Sequence, residues 1–175
     1  MVTASHNPPE YNGVKFIPSD GAPALPEVTD EIEARLADPD PLPEDEHGAV
    51  REEDFAAPYS DHAFDLVAEL AGSDGGGDVP LDLSDLSVVY DAMHGSGRGV
   101  TDRLLAEAGA DVDRLRCERD PEFGGSPPEP SAEHLGDLAA AVRERDADLG
   151  IANDGDADRF AVVTPDRGFL DENLF

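Results

Sequence analysis

Apolar residues recur along the chain with two periods, and the change from one to the other divides it. In EVTDEIEARL, Val28, Ile32 and Leu36 stand at i, i+4 and i+8, the spacing of one helical face. ADPDPLPEDEHG, over 37–48, breaks the period with three prolines and reads as loop. Tyr59, Ala63, Leu66, Val67 and Leu70 then form a second helical stripe ending near Gly72, and GSDGGGD reads as a flexible connection. From about Leu83 strands and helices alternate: LSVVYDA as a strand, TDRLLAEAG as a helix stopped by Gly109, and DVDRLRC as a strand. After the loop ERDPEFGGSPPEP, Ser131 is placed to cap a helix carrying Leu135, Leu138, Ala139 and Val142, and DLGIA and FAVVTP supply two more strands. NGVKFIP, near the start, reads as a short strand. The fold class is therefore α/β, a parallel or mixed sheet between two layers of helices, preceded by an incomplete α/β piece.

Composition narrows the setting. The formal net charge of −29 is spread over all 175 residues, the pattern of a soluble surface adapted to high salt, and it excludes binding to nucleic-acid phosphates. No apolar run approaches the ~18 residues of a membrane span, and no basic-then-apolar leader opens the chain, so a cytoplasmic location without membrane contact is expected. A lone Cys117 suits a reducing compartment.

In open sheets ligands bind beyond the carboxyl ends of parallel strands, and two loops fall there. HGSGRGV has Val100 where a dinucleotide fingerprint needs its third glycine, and reads as a tight turn. NDGDADRF places Asp154, Asp156 and Asp158 at alternate positions, so that an inward turn would gather three carboxylates, a repulsive arrangement that a divalent cation reverses. Oxygen donors favour Mg²⁺ or Ca²⁺; a solvated acidic turn is the plain alternative. Counted as an EF-hand loop from Asp154, the sixth and twelfth positions are Arg159 and Pro165 instead of Gly and Glu, so that reading fails. A haloacid-dehalogenase-type phosphatase, with Asp154 as nucleophile and Asp156 as acid, would want a downstream lysine that the sequence lacks.

The stretch TASHNPPEYNG offers a partner. Ser5 can carry phosphate on a loop stiffened by Pro8 and Pro9, and His6 and Lys15 are nearby proton carriers. Among twelve basic residues Lys15 is the sole lysine, which suggests that an ammonium is needed there; a stray surface lysine is the alternative.

TASHNPPEYNGVKF and DGDADRF, with DPEFGGSPPEP and ADLGIANDGDADR between and around them in order, resemble the serine loop, metal loop and second domain of the α-D-phosphohexomutases, the phosphoglucomutase/phosphomannomutase family. The resemblance implies that Ser5 holds the transferable phosphate. It makes Asp154, Asp156 and Asp158, with an oxygen of that phosphate, ligands of Mg²⁺, has Arg159 contact the phosphate, and gives Lys15 and His6 proton transfer. The implied reaction interconverts hexose 1-phosphate and hexose 6-phosphate through a hexose 1,6-bisphosphate that also serves as activator. Which of Lys15 and His6 is the base, and which sugar is used, stay open.

The same resemblance implies a division into a first-domain remnant with the serine loop (1–48), a helix and linker (49–82), an α/β second domain (83–168) and the opening of a third (169–175). The remaining domains of a longer enzyme would be needed to grip the phosphorylated hexose, and the chain alone is expected to be inactive. A self-contained Mg²⁺-dependent phosphatase or phosphotransferase, and a non-catalytic acidic module that binds a divalent ion, are the competing classes.

Overall fold

The computed structural model describes residues 1–36, 43–72 and 81–171. The predicted connection over 73–78, the first part of the proline-rich loop (37–42) and the end of the last segment (172–175) lie outside the described residues. The chain forms two units, Met1–Thr3 with Asn12–Asp54, and Ala4–Tyr11 with Phe55–Phe175.

In the first unit, α1 (Pro26–Leu36) starts at a proline, whose fixed φ and missing N–H suit the first helical position. The predicted strand NGVKFIP is not formed as such. Its pairing is confined to an antiparallel bridge between Val2 and Val14, supported by Thr3 N–H to Gly13 O at 3.1 Å and Lys15 N–H to Met1 O at 2.8 Å.

In the second unit, α2 (Ala56–Gly72) precedes a five-stranded sheet. Of the predicted apolar stripe of α2 Ala63 is half-buried, but Tyr59 is 55% and Leu70 63% exposed; Ser60 is buried, and Phe64 and Ala68 are half-buried.

The sheet comprises β1 (Ser87–Asp91), β2 (Asp111–Leu115), β3 (Leu149–Asn153), β4 (Phe160–Thr164) and β5 (Gly168–Phe169), in the order β2-β1-β3-β4-β5. β1 runs parallel to β2 and β3, but β4 is antiparallel to β3 and β5 to β4, so the sheet is mixed. α3 (Thr101–Glu107) links β1 to β2, and α4 (Gly136–Glu144) links β2 to β3. These two crossovers step in opposite directions along the sheet, so right-handed connections put α3 and α4 on opposite faces, giving three αβα layers.

β1 is buried along nearly its whole length, as a central strand covered on both faces must be. Leu138 and Val142 of α4 join Val89, Met93, Leu135 and Val163 in the core, each fully buried aliphatic side chain contributing roughly 1.5–3 kcal/mol. Ser131 does not cap α4. Residues 131–134 make a separate turn, with His134 N–H bonded to Ser131 O at 3.0 Å, and Leu135 takes the cap position without a side-chain bond. Asp91, 0% exposed, is paired by Arg116, whose Nε donates to its Oδ1 at 2.9 Å while Nη2 engages Oδ2. Among the described residues no helix is long and apolar enough to cross a membrane.

Candidate active site

The parallel pairing of β1 and β3 brings their carboxyl ends side by side, so the loops after Asp91 and Asn153 emerge together. Residues 154–159 close the β3–β4 hairpin, whose last pair is Asn153 and Phe160. Asp154 N–H donates to Arg159 O at 3.3 Å, Arg159 N–H returns a bond to Asp154 Oδ1 at 3.0 Å, and Ala157 N–H reaches Asp154 O at 3.2 Å. The turn needs a left-handed residue, and Ala157 supplies it at φ 62°.

This winding gathers Asp154, Asp156 and Asp158 so that one oxygen from each lies within 4.8 Å of the others. Asp154 is 0% exposed and its Oδ2 has no hydrogen-bond partner; Asp156 Oδ1 is also shielded from solvent. Burial pushes the Asp154 carboxyl above the ordinary carboxylate range, the bond from Arg159 N–H opposes that, and the charges of Asp156 and Asp158 add to it. An unpartnered buried oxygen facing two more carboxylates, with no sulfur or imidazole in the donor set, fits a hard divalent cation such as Mg²⁺.

The serine loop lies against this turn. Gly155 is pinned from two sides, its N–H to Pro128 O at 3.0 Å and its carbonyl to Ser96 N–H at 3.0 Å. A β-carbon at position 155 would stand 2.5 Å from the Ser5 carbonyl oxygen, so only glycine lets the two loops come this close. Ser5 itself adopts φ 55° in a turn closed by Asn7 N–H to Ala4 O at 3.0 Å, backbone strain of about 1–2 kcal/mol for a non-glycine residue. Its Oγ lies 3.2 Å from His6 Nδ1, within hydrogen-bonding distance.

Arg159 holds its backbone in the carboxylate turn, and its half-exposed side chain has Nε 4.0 Å from Asp158 Oδ1. It lines a cavity of about 530 Å³ with Ser131, Asp158, Phe160 and Phe169. The structure thus brings Ser5, His6, the three aspartates and Arg159 into one unit; Lys15 belongs to the other. Two participants escaped the sequence reading. The glycine-rich turn at 95–99 is more than a tight turn, since a β-carbon on Gly95 would sit 2.7 Å from Asp154 O, and Pro128 anchors Gly155 through its carbonyl. Adjacency of β1 and β3 brings the 95–99 turn to Asp154, whereas Pro128 comes from the loop between β2 and α4.

The serine loop thus packs on a three-carboxylate turn beyond the carboxyl end of β3. Residues 78–168 match the family described as phosphoglucomutase/phosphomannomutase, alpha/beta/alpha domain II, and residues 1–42 match its alpha/beta/alpha domain I. The chain belongs to the phosphoglucomutase/phosphomannomutase family. It is 42% identical over 170 residues to a protein of Methanopyrus kandleri named probable phosphoglucosamine mutase, covering 97% of this chain and 35% of that one. To a phosphopentomutase of Thermococcus kodakarensis it is 35% identical, covering 99% of this chain and 36% of the relative. The crystal structure of a phosphoglucomutase/phosphomannomutase family protein from Burkholderia thailandensis superposes with a TM-score of 0.74 at 29% identity, over 96% of this chain and 33% of that one. The chain spans about a third of the length of these relatives.

Proposed function

We propose that this chain is the phosphoryl-transfer and metal-binding part of a sugar-phosphate mutase, in which Ser5 carries the phosphate that is exchanged with the substrate. The observation that supports it most is the contact of the Ser5 loop with the turn bearing Asp154, Asp156 and Asp158. Those three carboxylates would hold Mg²⁺. When bound, the ion supplies neutralisation of charge on the phosphoryl group.

The chain's own residues perform the rest. Ser5 Oγ is the atom phosphorylated and dephosphorylated, on a loop whose Ser5 carbonyl lies against Gly155 of the carboxylate turn. His6 Nδ1, 3.2 Å from that oxygen, is placed to hold its proton when the serine is free. Arg159, always cationic, meets phosphate oxygens from the cavity side. Lys15 serves as a second proton carrier at the sugar hydroxyl. A hexose 1-phosphate accepting the Ser5 phosphate becomes the 1,6-bisphosphate, and returning the other phosphate to Ser5 yields the 6-phosphate with no net change in the serine.

Binding the sugar and letting the bisphosphate reorient fall to the remaining domains of a longer protein, so the 175 residues alone are expected to show no sustained turnover. The acidic composition fits a high-salt cytoplasm. The test uses that longer protein in molar KCl with Mg²⁺. Incubation with hexose 1,6-bisphosphate should add one phosphate to Ser5, seen by peptide mass, and Ser5→Ala should abolish both the label and interconversion of glucose, glucosamine or mannose phosphates. Because one relative is named a phosphopentomutase, pentose phosphates belong in the same panel. Undiminished turnover by Ser5→Ala would reject the proposal.

A further inference from the structure

Tyr90, one residue before the end of β1, is 0% exposed, so its hydroxyl must find an acceptor inside the protein. It donates to Asn153 Oδ1 at 3.0 Å, across the parallel pair of β1 and β3. Thr101 Oγ1, at the start of α3, donates to the same oxygen at 3.2 Å. Two hydroxyls occupy both lone pairs of that amide oxygen, and Nδ2 then faces the Arg159 carbonyl, to which it donates at 2.9 Å. The opposite orientation would set oxygen against oxygen, so one orientation survives. Space for the arrangement depends on Gly97, where a β-carbon would come within 2.3 Å of Tyr90 Oη.

The consequence falls on the turn beyond. Arg159 is held at its carbonyl by Asn153 of β3 and at its N–H by Asp154 Oδ1, so the last residue of 154–159 is tied both to the sheet and to the first residue of the turn. The three carboxylates repel one another, and the turn contains a left-handed alanine; without ties at its ends it would open.

We infer that Tyr90, Thr101 and Asn153 are positioning residues: a hydrogen-bonded clamp, floored by Gly97, that holds the carboxylate turn in its converged shape before a cation arrives. This rests on reading 154–159 as the metal turn, and it adds to that reading a set of residues that touch neither metal nor substrate. Preorganisation of this kind shows itself in the metal-free chain as well as in affinity.

The test uses the full 175-residue chain in molar KCl, with Tyr90→Phe and Thr101→Val to delete one hydroxyl each, and Thr101→Ser to retain it. Two readouts are taken: hydrogen exchange of the Asp154 and Arg159 amides without metal, and Mn²⁺ affinity by electron paramagnetic resonance. Each deletion should speed exchange at those amides and weaken Mn²⁺ by about 5-fold, the double variant by more, with α4 amides changing less and Thr101→Ser matching wild type. Unchanged exchange in the double variant, a parallel rise at α4, or a Thr101→Ser as impaired as Thr101→Val would overturn the clamp. A wild-type chain that binds no Mn²⁺ would defeat the metal reading instead, and exchange without metal would still decide the clamp.

Discussion

Replacing Asp154 by Asn should make the metal-free protein more stable, the reverse of the usual result for a buried polar residue with a bonded oxygen. At 4.8 Å, two carboxylates repel by about 3.5 kcal/mol at an effective dielectric of ~20. Asp158 is exposed and Asp156 half-buried, so solvent screens much of this, and about 1–3 kcal/mol is the expected gain. Asn retains an acceptor for Arg159 N–H and presents an amide where Oδ2 had no partner.

The pH dependence follows from the raised carboxyl. Below 3.8, the ordinary value, Asp154 is protonated in both folded and unfolded chains and its stabilising contribution is complete. As pH rises through its higher folded-state value that contribution is lost, so the advantage of Asn opens across this window and is constant above it. Mg²⁺ at about 100 times its Kd should add about 2.7 kcal/mol to the wild type and little to the variant, closing or inverting the gap. Urea unfolding followed by circular dichroism, in molar KCl with either EDTA or Mg²⁺, measures all four states while salt suppresses diffuse ion uptake by a chain of charge −29. A variant less stable than wild type in EDTA, or equal stabilisation of both by Mg²⁺, would refute the reasoning.

Gly155→Ala should weaken Mn²⁺ binding and slow phosphorylation of Ser5 in the longer protein, because its methyl group would meet the Ser5 carbonyl at 2.5 Å; wild-type rates would show that the loops part at no cost. Arg116→Ala should lower stability by about 3–5 kcal/mol in urea, since it strands a fully buried Asp91, and a loss under about 1 kcal/mol would mean that water reaches that carboxylate. Lys15→Arg in the longer protein should reduce turnover by ~100-fold or more with its charge retained, because a guanidinium does not release a proton near neutrality; activity within a few-fold would make Lys15 a surface residue.

Local order in the chain was enough to specify the alternating strands and helices from Ser87 to Thr164, because each element there needs only its own period and stop signal: Leu138 and Val142 recur and are buried, and Gly109 ends α3 at φ 101°. The three aspartates were visible for the same reason, being neighbours on one short loop. Periodicity could not tell which side of α2 is covered, where Ser60, Ala63, Phe64 and Ala68 are the less exposed residues. Nor could it give β4 its direction, which depends on a hairpin that folds the strand back on β3. The tie from Gly155 to Pro128, the clearance at Gly95 and the bond from Tyr90 to Asn153 join residues 27 to 63 positions apart. Only the tertiary structure decides such contacts, because they exist when β1 and β3 lie side by side and the loop between β2 and α4 folds back on the β3–β4 turn, an arrangement that is a property of the sheet as a whole.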